Sequence, residues 1–116
     1  MSVKFNDHVR QRMKNPLDVL RNITPLKVHL NHCAVGIAGE SGELLDAVKK
    51  HFYYNKPLDR ANVIEELGDI EFYMAAMRLA LGLTREEILE ANQSKLEKRY
   101  PTGYSDKAAV ERADKE

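Results

Sequence analysis

The chain has 116 residues, 18 Lys+Arg against 18 Asp+Glu, a formal net charge of zero, 43% apolar residues and 31% charged ones. That is the length and composition of one globular domain rather than a disordered chain, and the charge balance argues against a dedicated nucleic-acid binder. No apolar run approaches the ~18–20 residues of a membrane span, no apolar segment follows the opening MSVKFNDHVRQR to make a secretory leader, and a lone Cys33 excludes a disulfide framework, so a reducing cytoplasm is expected.

Leu, Ala, Glu, Lys and Arg dominate, and no alternating strand pattern of useful length occurs, so the fold class reads as all-α. The pattern predicts a first helix over residues 3–14, stopped at Asn15-Pro16, and a short helical turn over 17–22. Thr24-Pro25 reads as an N-cap followed by proline at the first helical position, opening a helix to about Tyr53 that breaks at Asn55-Lys56-Pro57. Asp59 caps a stretch that runs to Leu81 and closes at Gly82. Thr84 and Glu87 form a capping box for a helix that ends before Pro101. Gly103 lies in the next turn, and Ser105 caps a last short helix over 107–113. The whole is one domain, 1–116: an N-terminal extension (1–22), core helices (25–100) and a C-terminal turn with a short helix (101–116).

Two acidic pairs stand out, Glu40-Ser41-Gly42-Glu43 and Glu66-Leu67-Gly68-Asp69. Residues three apart share a helix face with Cβ atoms about 5–6 Å apart, and two carboxylates so placed suit a hard cation such as Mg²⁺ or Mn²⁺. With 18 acidic residues in 116, such pairs also arise by chance on solvated faces. Their neighbours favour a site. The stripe Asn62, Glu66, Asp69, Tyr73, Ala76, Ala80 turns apolar beyond the acids, and Cys33, Gly36, Glu40, Glu43, Ala47 continues a face of small and apolar residues. A solvated face stays polar along its length. Four acids are therefore expected at one end of a helix–helix seam, where they repel unless a cation neutralises them.

Glu65 lies on another helical face and at most supports a ligand from behind; Asp46, three after Glu43, either reaches the site or makes a surface ion pair. Gly36, Gly39, Gly42 and Gly68 each cost roughly 1 kcal/mol relative to Ala inside a helix, which points to close approach of a neighbouring helix or a ligand, close packing being the simpler reading. No strand precedes Gly39-Glu40-Ser41-Gly42, so it is not a nucleotide-binding loop.

Arg85, Ile88, Asn92, Lys95 and Arg99 share one side of their helix, and Asn92, Lys95 and Arg99 suit a polyphosphate. Taken alone, the stripe reads as an ordinary charged face. Tyr100 reads as a core or capping contact before a base-stacking one. His29 and Cys33 have a zinc spacing without two further ligands, so Cys33 is expected in the core. Ser41 has no histidine base within reach of its spacing, and no Glu-x-x-His pair supports a di-iron bundle.

The ordered set Gly36-Ile37-Ala38-Gly39-Glu40-Ser41-Gly42-Glu43-Leu44, Glu65-Glu66-Leu67-Gly68-Asp69-Ile70 and Asn92-Gln93-Ser94-Lys95-Leu96-Glu97-Lys98-Arg99-Tyr100-Pro101 resembles the MazG-type all-α nucleoside triphosphate pyrophosphohydrolases, in particular their small single-domain members. The resemblance covers residues 30–112. It implies a helical bundle completed by a second chain, as a homodimer or a dimer of dimers. It implies Mg²⁺-dependent cleavage of a nucleoside triphosphate between the α- and β-phosphates, with Mn²⁺ as a possible substitute, giving a monophosphate and pyrophosphate in nucleotide-pool sanitation. By the same resemblance Glu40, Glu43, Glu66 and Asp69 are the catalytic metal ligands, Lys95 and Arg99 contact phosphate, and Asn92 orients nearby groups. Either Glu40 or Glu43 orients the attacking water. Residues 1–22 match nothing in the family pattern, which leaves the base unassigned. The connection 51–59 borders the pocket, or its Phe52, Tyr53 and Tyr54 serve an interface or the core. The implied partner is a nucleoside triphosphate, with no nucleic acid and no membrane; the alternatives are a phosphoribosyl-nucleotide pyrophosphohydrolase and a non-catalytic helical dimer acting as a binding module.

Overall fold

Side-chain caps decide where the helices of this chain begin. The computed structural model describes residues 2–115, and over them run α1 (Ser2–Arg12), α2 (Pro16–Arg21), α3 (Pro25–Tyr53), α4 (Arg60–Leu81), α5 (Arg85–Arg99), α6 (Asp106–Glu111) and a 3₁₀ turn (Ala113–Lys115), with no β-strand among the described residues. Asn15, Thr24, Asp59, Thr84 and Ser105 each accept a hydrogen bond from a backbone N–H of the first turn that follows them, satisfying donors that a helix start leaves unpaired. At Thr84 the box is complete, because the Glu87 carboxylate also accepts from the Thr84 amide. Gly82 ends α4 in the left-handed region at φ 66°, where the lack of a Cβ removes the steric penalty.

The long helices thus lie where the sequence places them. The short ones are trimmed: α1 ends at Arg12 and α6 at Glu111. At the latter point Arg112 adopts φ 52°, and this left-handed turn folds the last residues back instead of extending the helix.

α3 and α4 form the hairpin that carries the site. Gly36 meets Tyr73 and Glu40 meets Glu66, so residue numbers rise along one helix as they fall along the other and the pair is antiparallel. His32 adds a tilted contact with the Tyr73 ring at 5.8 Å. The α4 stripe Asn62, Asp69, Tyr73, Ala76 and Ala80 is half-buried, as its apolar continuation demands. α5 packs chiefly on α6 and the 3₁₀ turn. Its first turns also meet the hairpin, where Ile88, Leu83, Leu81, Met77, Met74 and Ile37 line an apolar cleft of about 170 Å³.

Among the described residues only Cys33, Ala47 and Glu66 are buried over backbone and side chain together. Leu45, Phe52, Phe72 and Leu79 stand in solvent, Leu79 at 83% exposure. The radius of gyration is 20.0 Å, against about 13 Å for a compact domain of this length. The single chain is an open framework that leaves most of its large apolar side chains uncovered. Among the described residues no helix is long and apolar enough to cross a membrane.

Candidate metal centre

Glu40 sits midway along α3, seven residues after the buried Cys33 and seven before the buried Ala47, which places all three on one helical face two turns apart. Glu66 lies in the second turn of α4, on the face that turns toward α3, and is 6% exposed. Glu43 follows Glu40 by one turn and completes the group from the solvent side. One carboxylate oxygen from each of Glu40, Glu43 and Glu66 lies within 4.8 Å of the other two.

Glu40 Oε2 and Glu66 Oε2 are both buried and have no hydrogen-bond partner, a state that exacts a desolvation penalty for an ionised carboxylate. The Glu66 carboxyl is pushed up from its ordinary value near 4.5 to about 8. The largest cause is the Glu40 carboxylate, close enough to share a proton with it; burial comes next, and Glu43 adds through hydrogen bonding and charge. An all-carboxylate donor set with two buried, unpartnered oxygens has the chemistry that suits a hard cation. Oxygens on opposite sides of an ion bound at about 2.0–2.6 Å stand about 4–5 Å apart, so the observed spread fits a hard divalent cation at the centre of the three.

The remaining expected residues fall into two groups. Asp69 is half-buried on the Glu66 stripe, one turn along, and lies outside the three-carboxylate group. Asp46 pairs with Lys50 at 3.2 Å on the exposed side of α3, and Glu65 points into solvent. Asn92 and Lys95 are exposed on α5. Arg99 is engaged at the far end of that helix. Its Nε and Nη2 donate to Asp114 Oδ1 and Oδ2 at 2.7 and 3.1 Å, and its guanidinium lies 5.8 Å from the Tyr100 ring centroid. Tyr100 itself is half-buried against Tyr104 at 5.4 Å. This pairing holds the Asp114 carboxyl well below the usual carboxylate range and raises the already high Arg99 pKa further. Asp114 is the residue that sequence reasoning missed. It stands 15 positions from its partner, beyond a left-handed turn that no spacing rule announces.

Cys33 is 2% exposed and makes a polar contact with its helical neighbour His29, Sγ to Nε2 at 3.9 Å, in keeping with a core cysteine. Phe52 and Tyr53 stack edge to face at 4.8 Å and are 75% and 72% exposed, so within one chain they are no part of a core. Of the four helical glycines only Gly36 has a close neighbour. Nothing lies within 4 Å of a Cβ placed on Gly39, Gly42 or Gly68, so the expected close packing is absent there within the chain.

A family model described as the MazG nucleotide pyrophosphohydrolase domain matches residues 30–104, a stretch that holds α3 beyond its first residues, all of α4 and α5, and the three carboxylates. The chain belongs to the MazG nucleotide pyrophosphohydrolase family. Comparisons with curated proteins and with solved structures give no significant match. The MazG match ends before α6, so the Asp114 contact lies outside the matched stretch, as do α1 and α2 at the other end.

Proposed function

We propose that this MazG-family chain hydrolyses a nucleoside triphosphate between the α- and β-phosphates, releasing a monophosphate and pyrophosphate, with Mg²⁺ as the cofactor and Mn²⁺ as a substitute. The observation that carries the reading is the trio Glu40, Glu43 and Glu66, whose oxygens converge at the helix seam, with one oxygen each of Glu40 and Glu66 buried there without a partner. These three would hold the cation, with Asp69 one turn along the same α4 face as the fourth carboxylate. When bound, the ion supplies Lewis-acid polarisation of phosphate oxygens and eases deprotonation of a water.

The chain's own residues do the rest. Glu43, exposed at the edge of the group, or Glu40, half-buried at its centre, orients the attacking water through a free carboxylate oxygen. Glu66 would hold the cation as the carboxylate, its proton passing to solvent, since a ligating carboxylate must be ionised. Lys95 and Arg99 offset charge on the departing pyrophosphate, which matters most as that charge develops, and Asn92 orients the phosphates beside them.

The uncovered apolar surface supports assembly. Leu45, Phe52, Phe72 and Leu79 are too exposed for an isolated soluble domain, and a second copy of the chain, as a homodimer or a dimer of dimers, would cover them. The chain's single free cysteine suits a cytoplasmic setting and a role in clearing surplus or altered nucleotides.

The test is a panel of canonical and modified triphosphates, and phosphoribosyl-ATP, with Mg²⁺ or with EDTA. Mg²⁺-dependent pyrophosphate release from a triphosphate supports the reading. Orthophosphate release would place the cleavage elsewhere, turnover of phosphoribosyl-ATP alone would move the substrate to that class, and no turnover at all would leave a binding module.

A further inference from the structure

The C-terminal segment makes one contact that neither the family match nor the carboxylate site accounts for. The Asp114 side chain is fully buried, at 0% exposure, and the Arg99 side chain is 16% exposed. The two meet through parallel hydrogen bonds of 2.7 and 3.1 Å, the fork geometry in which a guanidinium is held in one plane. Arg112 approaches the same carboxylate, Nε to Oδ1 at 3.5 Å. Arg112 also supplies the left-handed turn that folds the 3₁₀ segment back onto α5.

This arrangement does more than tie down a chain end. An arginine on a helix surface loses side-chain entropy when it grips an anion. Here that entropy is already lost, because Asp114 fixes the fork on one side and the Tyr100 ring borders it at 5.8 Å. The bonds occupy Nε and Nη2 and leave the Nη1 donors for an outside acceptor. Charge is preserved as well. Two guanidinium groups share a single carboxylate, so the cluster keeps a net positive charge toward an anion.

We infer that Asp114 is a positioning residue for the reaction: it locks the Arg99 guanidinium so that Nη1 is presented to the substrate's phosphates, with Arg112 balancing the buried carboxylate. The inference rests on Arg99 being a phosphate ligand, as proposed above, and extends that role to a segment outside the family match. Asp114 touches no substrate itself; it acts through Arg99.

The experiment uses the full chain, with Asp114→Asn, Arg99→Ala and the double substitution. Binding of Mg²⁺–pyrophosphate is followed by calorimetry, and steady-state turnover by pyrophosphate release. Positioning predicts that Asp114→Asn weakens pyrophosphate binding about tenfold, the scale of a hydrogen bond to a charged group. It also predicts that Arg99→Ala does the same or worse, and that the double variant is no weaker than Arg99→Ala alone. Asp114→Glu, which keeps the charge, should recover part of the loss. A purely structural tie would instead lower the melting temperature of Asp114→Asn and leave pyrophosphate affinity unchanged in protein that is still folded, and that overturns the inference. Tighter pyrophosphate binding by Asp114→Asn overturns it too, because Asp114 would then be competing with phosphate for Arg99. If Arg99→Ala binds and turns over like the parent chain, the role of Arg99 fails and the inference with it, while an active parent chain leaves the proposed reaction standing. A parent chain inactive on every triphosphate removes the reaction itself.

Discussion

A Cβ built on Gly36 of α3 falls 2.5 Å from Cδ1 of Tyr73 on α4, which makes this the position where the hairpin depends on the absence of a side chain. The Tyr73 ring fills the space that any other residue would occupy, one helical turn from Glu40. Helix propensity alone favours alanine over glycine by about 1 kcal/mol. Packing decides otherwise, because the ring presents three atoms within 2.6 Å of that point and has no flexible end to swing away. Gly36→Ala is expected to destabilise by about 1–3 kcal/mol, the range of an overpacked core, measured by denaturant unfolding at fixed protein concentration. Adding Tyr73→Leu should recover much of the loss. By contrast, Gly68→Ala, with open space around it, should be neutral or stabilising within the same chain.

The pH dependence of the metal-free protein follows from Glu66. Its folded-state pKa of about 8 lies above the ordinary 4.5, so the folded state binds a proton that the unfolded state releases. The resulting stability is fully present below about pH 4.5 and is lost progressively as pH rises through 8. Thermal melts in EDTA are expected to show a melting temperature that falls between these limits. Glu66→Gln, which keeps the neutral form permanently, should flatten the fall and melt higher than the parent at pH 8. Mg²⁺ should reverse the trend, since cation binding displaces the shared proton and tightens as pH rises toward 8. An EDTA melting temperature that rises steadily from pH 5 to 8 would contradict the shared proton.

The carboxylates can be separated by what each does. Glu43→Gln removes one corner of the three-oxygen group and is expected to weaken Mg²⁺ binding and to lower turnover on the order of 100-fold, with helicity retained, since Glu43 is exposed and its backbone sits mid-helix. Asp69→Asn addresses the carboxylate that stands outside the trio. As the fourth ligand it should lower turnover comparably; if turnover is unaffected while Glu43→Gln is inactive, the cation is held by the trio alone. Calorimetry with Mg²⁺ on the same variants distinguishes lost binding from lost chemistry.

Much of this architecture is legible locally. Thr24, Asp59, Thr84 and Ser105 announce helix starts because a cap acts within three residues, and the structure finds each bonded as its spacing requires. The pairing of Glu40 with Glu66 is legible too, since the stripes through Cys33 and Tyr73 continue the same faces and must meet. What is not legible depends on distance along the chain. Asp69 shares the periodicity of Glu66, yet periodicity does not say that the closest three oxygens come from Glu40, Glu43 and Glu66. The Arg99–Asp114 clamp arises from one left-handed residue, Arg112, at which a helical pattern gives no warning. The glycines show the same limit: all four weaken their helices equally in propensity, and only the fold reveals that Gly36 alone faces a ring.

The exposed apolar face yields the last expectation. Leu45, Val48, Phe52 and Tyr53 lie together on the final turns of α3 around a shallow hollow that Lys49 also borders, and Leu45 and Phe52 are 68% and 75% exposed. Burying apolar surface is worth about 25 cal/mol per Å², so a second copy covering this patch gains several kcal/mol by rough count, enough to offset part of the loss of free motion on association. Light scattering coupled to gel filtration is expected to give at least twice the monomer mass, with a melting temperature that rises with protein concentration. Leu45→Glu combined with Phe52→Glu places two charges in the hollow and should reduce the mass toward the monomer, without loss of helicity in α3 and α4, which Thr24 and Asp59 cap. If the patch serves assembly, the same double substitution lowers turnover in step with the fall in mass on dilution. A doubly substituted chain that keeps its mass places the contact on another apolar face, of which Phe72 and Leu79 on α4 are the next most exposed. A monomeric parent that is fully active at nanomolar concentration would show that one hairpin suffices to hold the cation and turn over the substrate.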